Sequence, residues 1–169
     1  MYENDNTKQI VRVLSFYLHE RLFSIPLEDI AEVNRITNIA YCEKAPDYVQ
    51  GLINLHGITT PILNMKKLLN IEFSDFDQSL MWLSVKHDKL SACLAVDKLS
   101  NFLNLGKNIL DETPTLADGL DMQYIKCFAK IDNMLIPVLN VAKIINEREK
   151  QILKQLIQSN HSLNREENL

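Results

Sequence analysis

The second half of this sequence repeats the first, and this constrains the fold more than any other feature. The segment 61–69, PILNMKKLL, returns as 137–145, PVLNVAKII, with the same Pro, Leu, Asn and Lys at four positions. The apolar pattern of residues 14–33 returns in order at 83–102. The offset is 69 residues upstream and 76 downstream, so one loop is longer in the second copy. Two small subdomains in one chain leave a groove between them, where ligands or partners bind.

Composition is that of an ordinary soluble globular protein and argues against several function classes. The chain has 169 residues, of which 46% are hydrophobic and 24% charged, enough for one domain or two small lobes. A formal net charge of -4 argues against a nucleic-acid binder, which usually carries a basic face. The N-terminus, MYENDNTKQ, lacks a signal-peptide pattern, and no apolar run reaches membrane-spanning length. The sequence therefore predicts a cytoplasmic protein without a nucleic-acid partner.

Short apolar runs predict a mainly β fold. Alternating apolar residues predict strands at 11–18 and 22–27. The dipeptide at 56–57, His-Gly, separates two further apolar runs as in a hairpin. The dipeptide at 132–133, Asp-Asn, is another two-residue turn, because both side chains tolerate positive φ. Many short strands without alternating long helices indicate small barrels or sandwiches.

The C-terminal segment has a helical pattern instead. Residues 141–158 place five aliphatic side chains on one stripe, namely Ile145, Ile152, Leu153, Leu156 and Ile157. Packing of this stripe on the strands is the simpler expectation, and self-association is the alternative. The predicted organisation is a single domain at 10–158, with lobes from the two repeats at about 10–70 and 80–146, and disordered tails at 1–9 and 159–169.

No arrangement of residues in the sequence points to catalysis. The histidines at positions 19, 56, 87 and 161 have no metal-ligand spacing. The three cysteines are far apart and odd in number, which is typical neither of a zinc site nor of a disulfide framework. Gly-rich phosphate loops and nucleophile-elbow motifs are missing from the sequence. We therefore expect a protein that is not an enzyme and that needs no metal or cofactor.

Two sets of residues are candidates for binding a partner. Glu32 and His56 are a polar pair beside apolar runs. Four apolar residues occupy equivalent positions of the two repeats: Ile30, Val33, Leu99 and Phe102. If equivalent elements of two lobes face each other, they leave an apolar groove that suits an amphipathic helix. Spacing alone leaves open that the polar pair is ordinary surface and the apolar four are core.

The run at 48–65, YVQGLINLHGITTPILNM, resembles the signature of the CheW-type chemotaxis coupling proteins, approximately G-x-I-N-L-R-G-x-I-x-P-[IV]-x-D-L. Further elements of that family match at 94–97 (LAVD), 124–125 (YI) and 134–136 (MLI), so the resemblance covers about residues 10–158. It implies a fold of two small SH3-like β-barrel lobes with a C-terminal α-helix. This implied fold agrees with the internal repeat.

The resemblance also implies an activity and its partners. It implies a non-enzymatic adaptor that links the cytoplasmic tip of a methyl-accepting chemoreceptor to the regulatory domain of a CheA-type histidine kinase. Such an adaptor associates with the membrane only through receptors. The residues matched by position are Ile30, Val33, Leu99 and Phe102 for the receptor groove, Glu32 and His56 for the partner surface, and Gly51, Asn54, Gly57 and Pro61 for the structural motif.

Four positions depart from the family pattern, and two of them, Cys127 and Ala129, stand where glycines are common. His56 stands where the family usually has Arg, and Asn64 stands where it usually has Asp. Arg is a permanent forked cation and His a partial one, so an ion pair between Glu32 and His56 would depend on pH. The alternatives to the chemotaxis adaptor are a similar adaptor of another chemosensory-type pathway, such as one controlling surface motility, and a small-molecule-binding double barrel.

Overall fold

Two β-sheets and a C-terminal helix make up the fold. The structure, a computed structural model, describes residues 11–73, 81–106, 109–110 and 119–166, so the predicted tail at 1–9 lies outside it. The strands are β1 (Val11–Leu18), β2 (Arg21–Pro26), β3 (Ile30–Arg35), β4 (Val49–Leu55), β5 (Ile58–Asn64), β6 (Met81–His87), β7 (Leu90–Val96), β8 (Lys98–Leu105), β9 (Ile109–Leu110), β10 (Ile125–Ile131) and β11 (Met134–Leu139). The helices are α1 (Met65–Leu68), α2 (Val141–Ile144) and α3 (Glu147–Glu166). Among the residues described, no helix is both long and apolar enough to cross a membrane.

The two sheets have equivalent strand orders. One sheet has six strands in the order β8-β1-β2-β11-β10-β9, and the other has five in the order β3-β6-β7-β5-β4. The pairs β2–β11 and β5–β7 are parallel, and the other neighbours are antiparallel. Exchanging each strand for its equivalent in the other repeat converts the five-stranded order into the first five strands of the six-stranded order. The mainly β fold class with two lobes and a C-terminal helix is confirmed.

The sheets do not follow the repeats, so the predicted lobe boundaries of 10–70 and 80–146 are wrong. β3 leaves β2 and pairs with β6, whereas β8 leaves β7 and pairs with β1. Only Asp97 separates β7 from β8, and one residue is too short for the two-residue turn of a hairpin. The residues between β2 and β3, Leu27–Asp29, form a 3-10 turn, which advances the chain instead of reversing it. Each repeat therefore gives one strand to the sheet of the other.

The strand registers show that the exchange is reciprocal. Leu14 of β1 lies opposite Phe102 of β8, and Leu83 of β6 lies opposite Val33 of β3. Leu83 and Phe102 are the repeat equivalents of Leu14 and Val33. The similarity between residues 14–33 and 83–102 therefore corresponds to one type of strand pairing that occurs twice, once in each sheet.

One apolar core lies between the sheets, and each sheet has a smaller cluster on its other face. Leu14 and Leu83, from different sheets, both belong to the shared core. The preceding residue of each strand points the other way, because side chains alternate along a strand. Val13 and Trp82 accordingly belong to two separate clusters, one for each sheet. The sheets are therefore joined by a core to which both repeats contribute.

The two asparagines of the sequence repeat cap short helices. The side-chain oxygen of Asn64 accepts the N–H of Lys67 at 3.2 Å and begins α1. The side-chain oxygen of Asn140 accepts the N–H of Lys143 at 3.3 Å and begins α2. Asparagine is among the preferred N-cap residues, so the Asn at position 64 keeps the capping role that a carboxylate would have. Each of these asparagines thus begins a short helix at the same place in its repeat.

The predicted helix at 141–158 is two helices, and the predicted disorder is wrong for 159–166. Asn146 lies between α2 and α3, and its side-chain oxygen accepts the N–H of Glu149 at 3.0 Å. This contact caps a new helix instead of continuing the first. Once begun, a helix gains one hydrogen bond per added residue, and α3 continues through 159–166. The last residues, 167–169, lie outside the described part of the chain.

The predicted apolar stripe packs on the shared core. Ile145, Leu153 and Leu156 are buried in it, and Ile152 and Ile157 are half-buried against it. The simpler expectation, packing on the strands, is confirmed.

Polar contacts hold the start of α3 against the five-stranded sheet. Lys150 pairs with Asp88 in the β6–β7 turn and with Glu147, the latter at 2.7 Å. The Tyr48 hydroxyl donates a hydrogen bond to the Glu149 carboxylate. Burial, reinforced by this hydrogen bond, raises the pKa of Tyr48, so the phenol remains a donor at neutral pH.

We expect the contact between Asp88 and Lys150 to make stability depend on pH. The hydrogen bond from Lys150, with its charge, lowers the pKa of Asp88 from the ordinary 3.8. A carboxylate with a lowered folded pKa stabilises the fold above its ordinary pKa, and this stabilisation is lost as pH falls through the folded value. Asp88→Asn should therefore lower the free energy of unfolding at about pH 7. The difference in this free energy between the variant and wild type should narrow as the pH falls.

Denaturant unfolding at a series of pH values measures this gap. Asp132→Asn is the matched control, because Asp132 lies in another turn at positive φ and, among the residues described, makes no ion pair. A gap for Asp88→Asn that is constant over the acidic range would contradict the prediction.

Candidate functional site

The two predicted partner-surface residues are in contact. Glu32 lies on β3, and His56 lies in the turn between β4 and β5. The Nε2 atom of His56 is 2.7 Å from an oxygen of the Glu32 carboxylate. The side chain of His56 is 76% exposed and that of Glu32 is 33% exposed. The pair is therefore on the surface, where a partner has access to it.

The turn geometry fixes the position of the imidazole. His56 and Gly57 have φ of 53° and 85°, as in the two-residue turns that join hairpin strands. The side-chain oxygen of Asn54 accepts the N–H of Gly57 at 2.7 Å. The predicted β4–β5 hairpin is confirmed by its antiparallel register. Asn54 and Gly57 hold the turn, and the turn presents His56.

The contact between Glu32 and His56 joins the two edges of the five-stranded sheet. β3 is one edge strand of this sheet, and β4 is the other. An ionised carboxylate only accepts hydrogen bonds, so Nε2 of His56 donates and Glu32 accepts. Protonation of the imidazole adds a positive charge to this pair, and histidine changes charge between about pH 5 and pH 8.

An exposed apolar side chain, which the sequence analysis missed, lies two residues after His56 in the chain. Ile58 is the first residue of β5, directly after the turn, and is 64% exposed. Protein interfaces combine an apolar centre with polar groups around it. In the sequence, the indication of this exposed side chain was an isoleucine directly after a predicted two-residue turn. We call Glu32, His56 and Ile58 the hairpin surface.

The four predicted groove residues lie on edge strands of different sheets. Ile30 and Val33 are on β3, at the edge of the five-stranded sheet, and Leu99 and Phe102 are on β8, at the edge of the six-stranded sheet. Ile30, Val33 and Leu99 are half-buried at the margin of the shared core. Phe102 is 69% exposed. We call these four residues the edge-strand surface, because both sheets contribute an edge strand to it.

A buried ion pair, also missed from sequence, lies where the chain crosses between sheets. Lys66 of α1 is 1% exposed, and its Nζ donates to Oδ1 of Asp97 at 2.9 Å. The other oxygen of Asp97 accepts the backbone N–H of His19 at 2.5 Å. The Phe73 ring faces the ammonium at 5.0 Å from its centroid, a cation–π distance. In the sequence, the one indication of this ion pair was a lysine placed among the apolar residues that form α1.

A cavity of about 450 Å³ lies on the six-stranded sheet, apart from the hairpin surface. Its lining comes mainly from the β1–β2 turn and the β10–β11 hairpin and includes Glu20 and Arg21.

Burial raises the pKa of the Cys93 thiol to about 12, so this cysteine stays protonated and is a poor nucleophile. Within the described residues, no group of three His, Cys, Asp or Glu side chains is placed to hold a metal ion.

The two remaining motif residues have structural positions. Gly51 of β4 faces the segment before that strand, and an added Cβ would lie 2.1 Å from Cγ2 of Ile39 and 2.7 Å from the Ala40 carbonyl oxygen. Pro61 lies on β5, one residue before the parallel pairing with β7 begins. Proline gives no N–H to a ladder, so it fits just outside that pairing. Gly51 thus permits a close backbone approach outside the hairpin turn.

Comparisons with known proteins identify similar chains. A family model described as a CheW-like domain matches residues 12–149. A chemotaxis protein CheW of Thermotoga maritima is 31% identical over 136 residues, which cover 80% of this chain and 87% of that protein. A CheW of Treponema pallidum is 24% identical over 162 residues and 92% of each chain. The crystal structure of the scaffolding protein TtCheW from Thermoanaerobacter tengcongensis matches with a TM-score of 0.72 at 20% identity, over 88% of this chain and 96% of that one.

We expect Gly51→Ala to destabilise the five-stranded sheet. The added methyl group would overlap Ile39 and a backbone oxygen, and overpacking of this kind costs about 1–3 kcal/mol. Urea denaturation of both chains measures the loss. Gly106→Ala is the matched control, because nothing lies within 4 Å of an added Cβ at that position. Equal stabilities of the two variants would contradict the close approach at Gly51.

Proposed function

This chain belongs to the family of CheW-like domains, and on that premise we propose that it is a non-enzymatic adaptor of a chemosensory pathway. Its proposed partners are the cytoplasmic tip of a methyl-accepting chemoreceptor and the regulatory domain of a CheA-type histidine kinase. It works in the cytoplasm and meets the membrane only through receptors. The names of its relatives, which are chemotaxis and scaffolding proteins, support this assignment.

The observation that carries the proposal is the presence of two separate candidate docking surfaces. The edge-strand surface takes residues from both sheets, whereas the hairpin surface belongs to the five-stranded sheet alone. An adaptor has to bind two partners at once, so it needs two surfaces that do not overlap. The residues of the two surfaces are distinct, although both include residues of β3.

The edge-strand surface suits a helical receptor tip. An amphipathic helix binds by placing its apolar face on an apolar groove. Phe102 offers an exposed aromatic ring, and aromatic side chains often dominate the binding energy of an interface. Ile30, Val33 and Leu99 are half-buried against the shared core, on the two edge strands that make up this surface.

The hairpin surface suits the folded regulatory domain of the kinase. It combines an apolar side chain, Ile58, with the pair of Glu32 and His56. Exposed charges at an interface contribute more to partner choice than to affinity. We assign the kinase to this surface and the receptor to the edge-strand surface.

Phe102→Asp should weaken receptor binding and spare kinase binding. A charge in place of an exposed aromatic anchor should cost about 2 kcal/mol, or about thirtyfold in the dissociation constant. Ile30→Asp should act in the same direction. Isothermal titration of the chain with a receptor cytoplasmic hairpin fragment, and separately with the kinase regulatory domain, measures both affinities.

Ile58→Asp is the matched control, because it places the same charge on the other surface. It should weaken kinase binding and spare receptor binding. If wild type binds neither partner, the adaptor proposal is wrong. If Phe102→Asp and Ile30→Asp both unfold the chain, those side chains are core and the groove assignment fails.

His56→Arg should strengthen kinase binding about two- to fivefold at about pH 8. Arginine carries a permanent charge, whereas histidine is mostly neutral at that pH. The affinity of wild type should rise as the pH falls from about 8 to 6, and that of the variant should stay constant. Titration at both pH values tests this, and an unchanged wild-type affinity would count against a role for the pair.

The identity of the kinase decides which output the adaptor serves. Affinity capture of the tagged chain from its native cytoplasm, beside the Phe102→Asp variant, recovers the partners directly. Recovery of a kinase from a surface-motility system would assign the chain to that pathway. Recovery of a chemotaxis kinase with a receptor, and loss of the receptor in the variant, would support a chemotaxis adaptor that binds its receptor through the edge-strand surface.

A further inference from the structure

Asp97 connects the two sheets through three hydrogen bonds. Its backbone N–H donates to the Tyr17 carbonyl at 3.1 Å, and Oδ2 accepts the backbone N–H of His19 at 2.5 Å. Tyr17 lies on β1 of the six-stranded sheet, and His19 follows in the β1–β2 turn. Oδ1 accepts from Lys66, on the helix that follows β5 of the five-stranded sheet. One aspartate therefore contacts both sheets at the point where the chain crosses between them.

The Lys66–Asp97 ion pair is present at only one of the two equivalent crossings. In the sequence repeat, Asp97 corresponds to Glu28 and Lys66 corresponds to Ala142. Alanine carries no charge, so the second crossing cannot form the same pair. The pair therefore breaks the symmetry of the two repeats.

Burial makes this ion pair different from the surface pairs of the molecule. Lys66 is 1% exposed, and the side chain of Asp97 is 19% exposed. A charge removed from water is tolerated when an opposite charge and further hydrogen bonds satisfy it. Replacing such a pair by apolar residues is often neutral for stability, so specificity of arrangement is a better account of a buried pair than net stabilisation.

We propose that the Lys66–Asp97 pair is a positioning element that sets the orientation of one sheet relative to the other, and through it receptor docking. β8 begins directly after Asp97 and carries Leu99 and Phe102. The edge-strand surface depends on how β3 and β8, from different sheets, are placed relative to each other. The hairpin surface lies within one sheet and does not depend on that placement. The inference rests on the proposed function for its receptor and kinase readouts.

Lys66→Met tests the inference, because methionine keeps most of the side-chain length and removes the charge. We expect the affinity for the receptor hairpin fragment to fall about tenfold and that for the kinase regulatory domain to stay within about twofold. Lys67→Met is the matched control. Lys67 is the next residue and pairs with Asp47 at 2.6 Å on the surface, away from the crossing. Isothermal titration measures all four affinities.

Two further variants separate the charge from packing. Asp97→Asn keeps an acceptor for the His19 N–H and removes the charge. It should therefore lower the affinity for the receptor fragment and leave the affinity for the kinase domain unchanged. Lys66→Arg keeps the charge and should stay close to wild type in receptor affinity. If Lys66→Arg loses as much receptor affinity as Lys66→Met, loss of the charge does not explain the weaker binding and the proposal is wrong.

A distance measurement without any partner tests the orientation itself. Spin labels at Asn34 on β3 and Asn104 on β8, both exposed, report the separation of the two edge strands in a chain whose three cysteines are replaced. Lys66→Met should broaden or shift the distance distribution, and Lys67→Met should leave it as in wild type. An unchanged distribution in a folded Lys66→Met chain would overturn the inference.

The outcomes also separate this inference from the proposed function. If wild type binds neither partner, the adaptor proposal fails, and the spin-label distances still test the junction. Equal loss of both affinities in Lys66→Met would indicate general destabilisation and contradict a selective role. Retention of both affinities with an altered distance would show that docking does not depend on the junction.

Discussion

The two short connections that carry the chain between the sheets determine the rest of this structure. Asp97 alone separates β7 from β8, and the 3-10 turn Leu27–Asp29 separates β2 from β3. Because neither connection reverses the chain, β3 and β8 cannot pair with the strands that precede them. Each instead becomes the edge strand of the other sheet. Neither repeat contains a complete sheet, and the core between the sheets is built from both repeats.

The same crossing places the candidate docking surfaces. An edge strand has one unpaired side, so its apolar residues are less covered than those of inner strands. Ile30, Val33 and Leu99 are therefore half-buried, and Phe102 is exposed. Glu32 is also on an edge strand, from which it reaches His56 on the hairpin at the opposite edge. The proposed receptor and kinase surfaces thus arise from one topological feature.

Three ion pairs of this protein differ in environment and hence in what they contribute. Lys67–Asp47 and Glu32–His56 are exposed, and pairs of this kind contribute little to stability because water and salt screen them. Lys66–Asp97 is largely buried, and its lysine has to remain paired because an isolated buried charge is costly. The exposed pair at His56 is free to interact with a partner, whereas the buried pair acts on the arrangement of the protein itself.

The sequence by itself determined the local structure. The turn at His56-Gly57, the asparagine of each repeat at a helix cap position and the apolar stripe of α3 follow from neighbouring residues, because turns, caps and amphipathic faces are local properties. The tertiary structure alone decided which strands pair, since one connecting residue was enough to send a strand to the other sheet. It also decided the contacts of Lys66 with Asp97 and of Gly51 with Ile39, which join residues far apart in the chain. The spacing of residues in the sequence does not predict such contacts, because they depend on how complete sheets pack together.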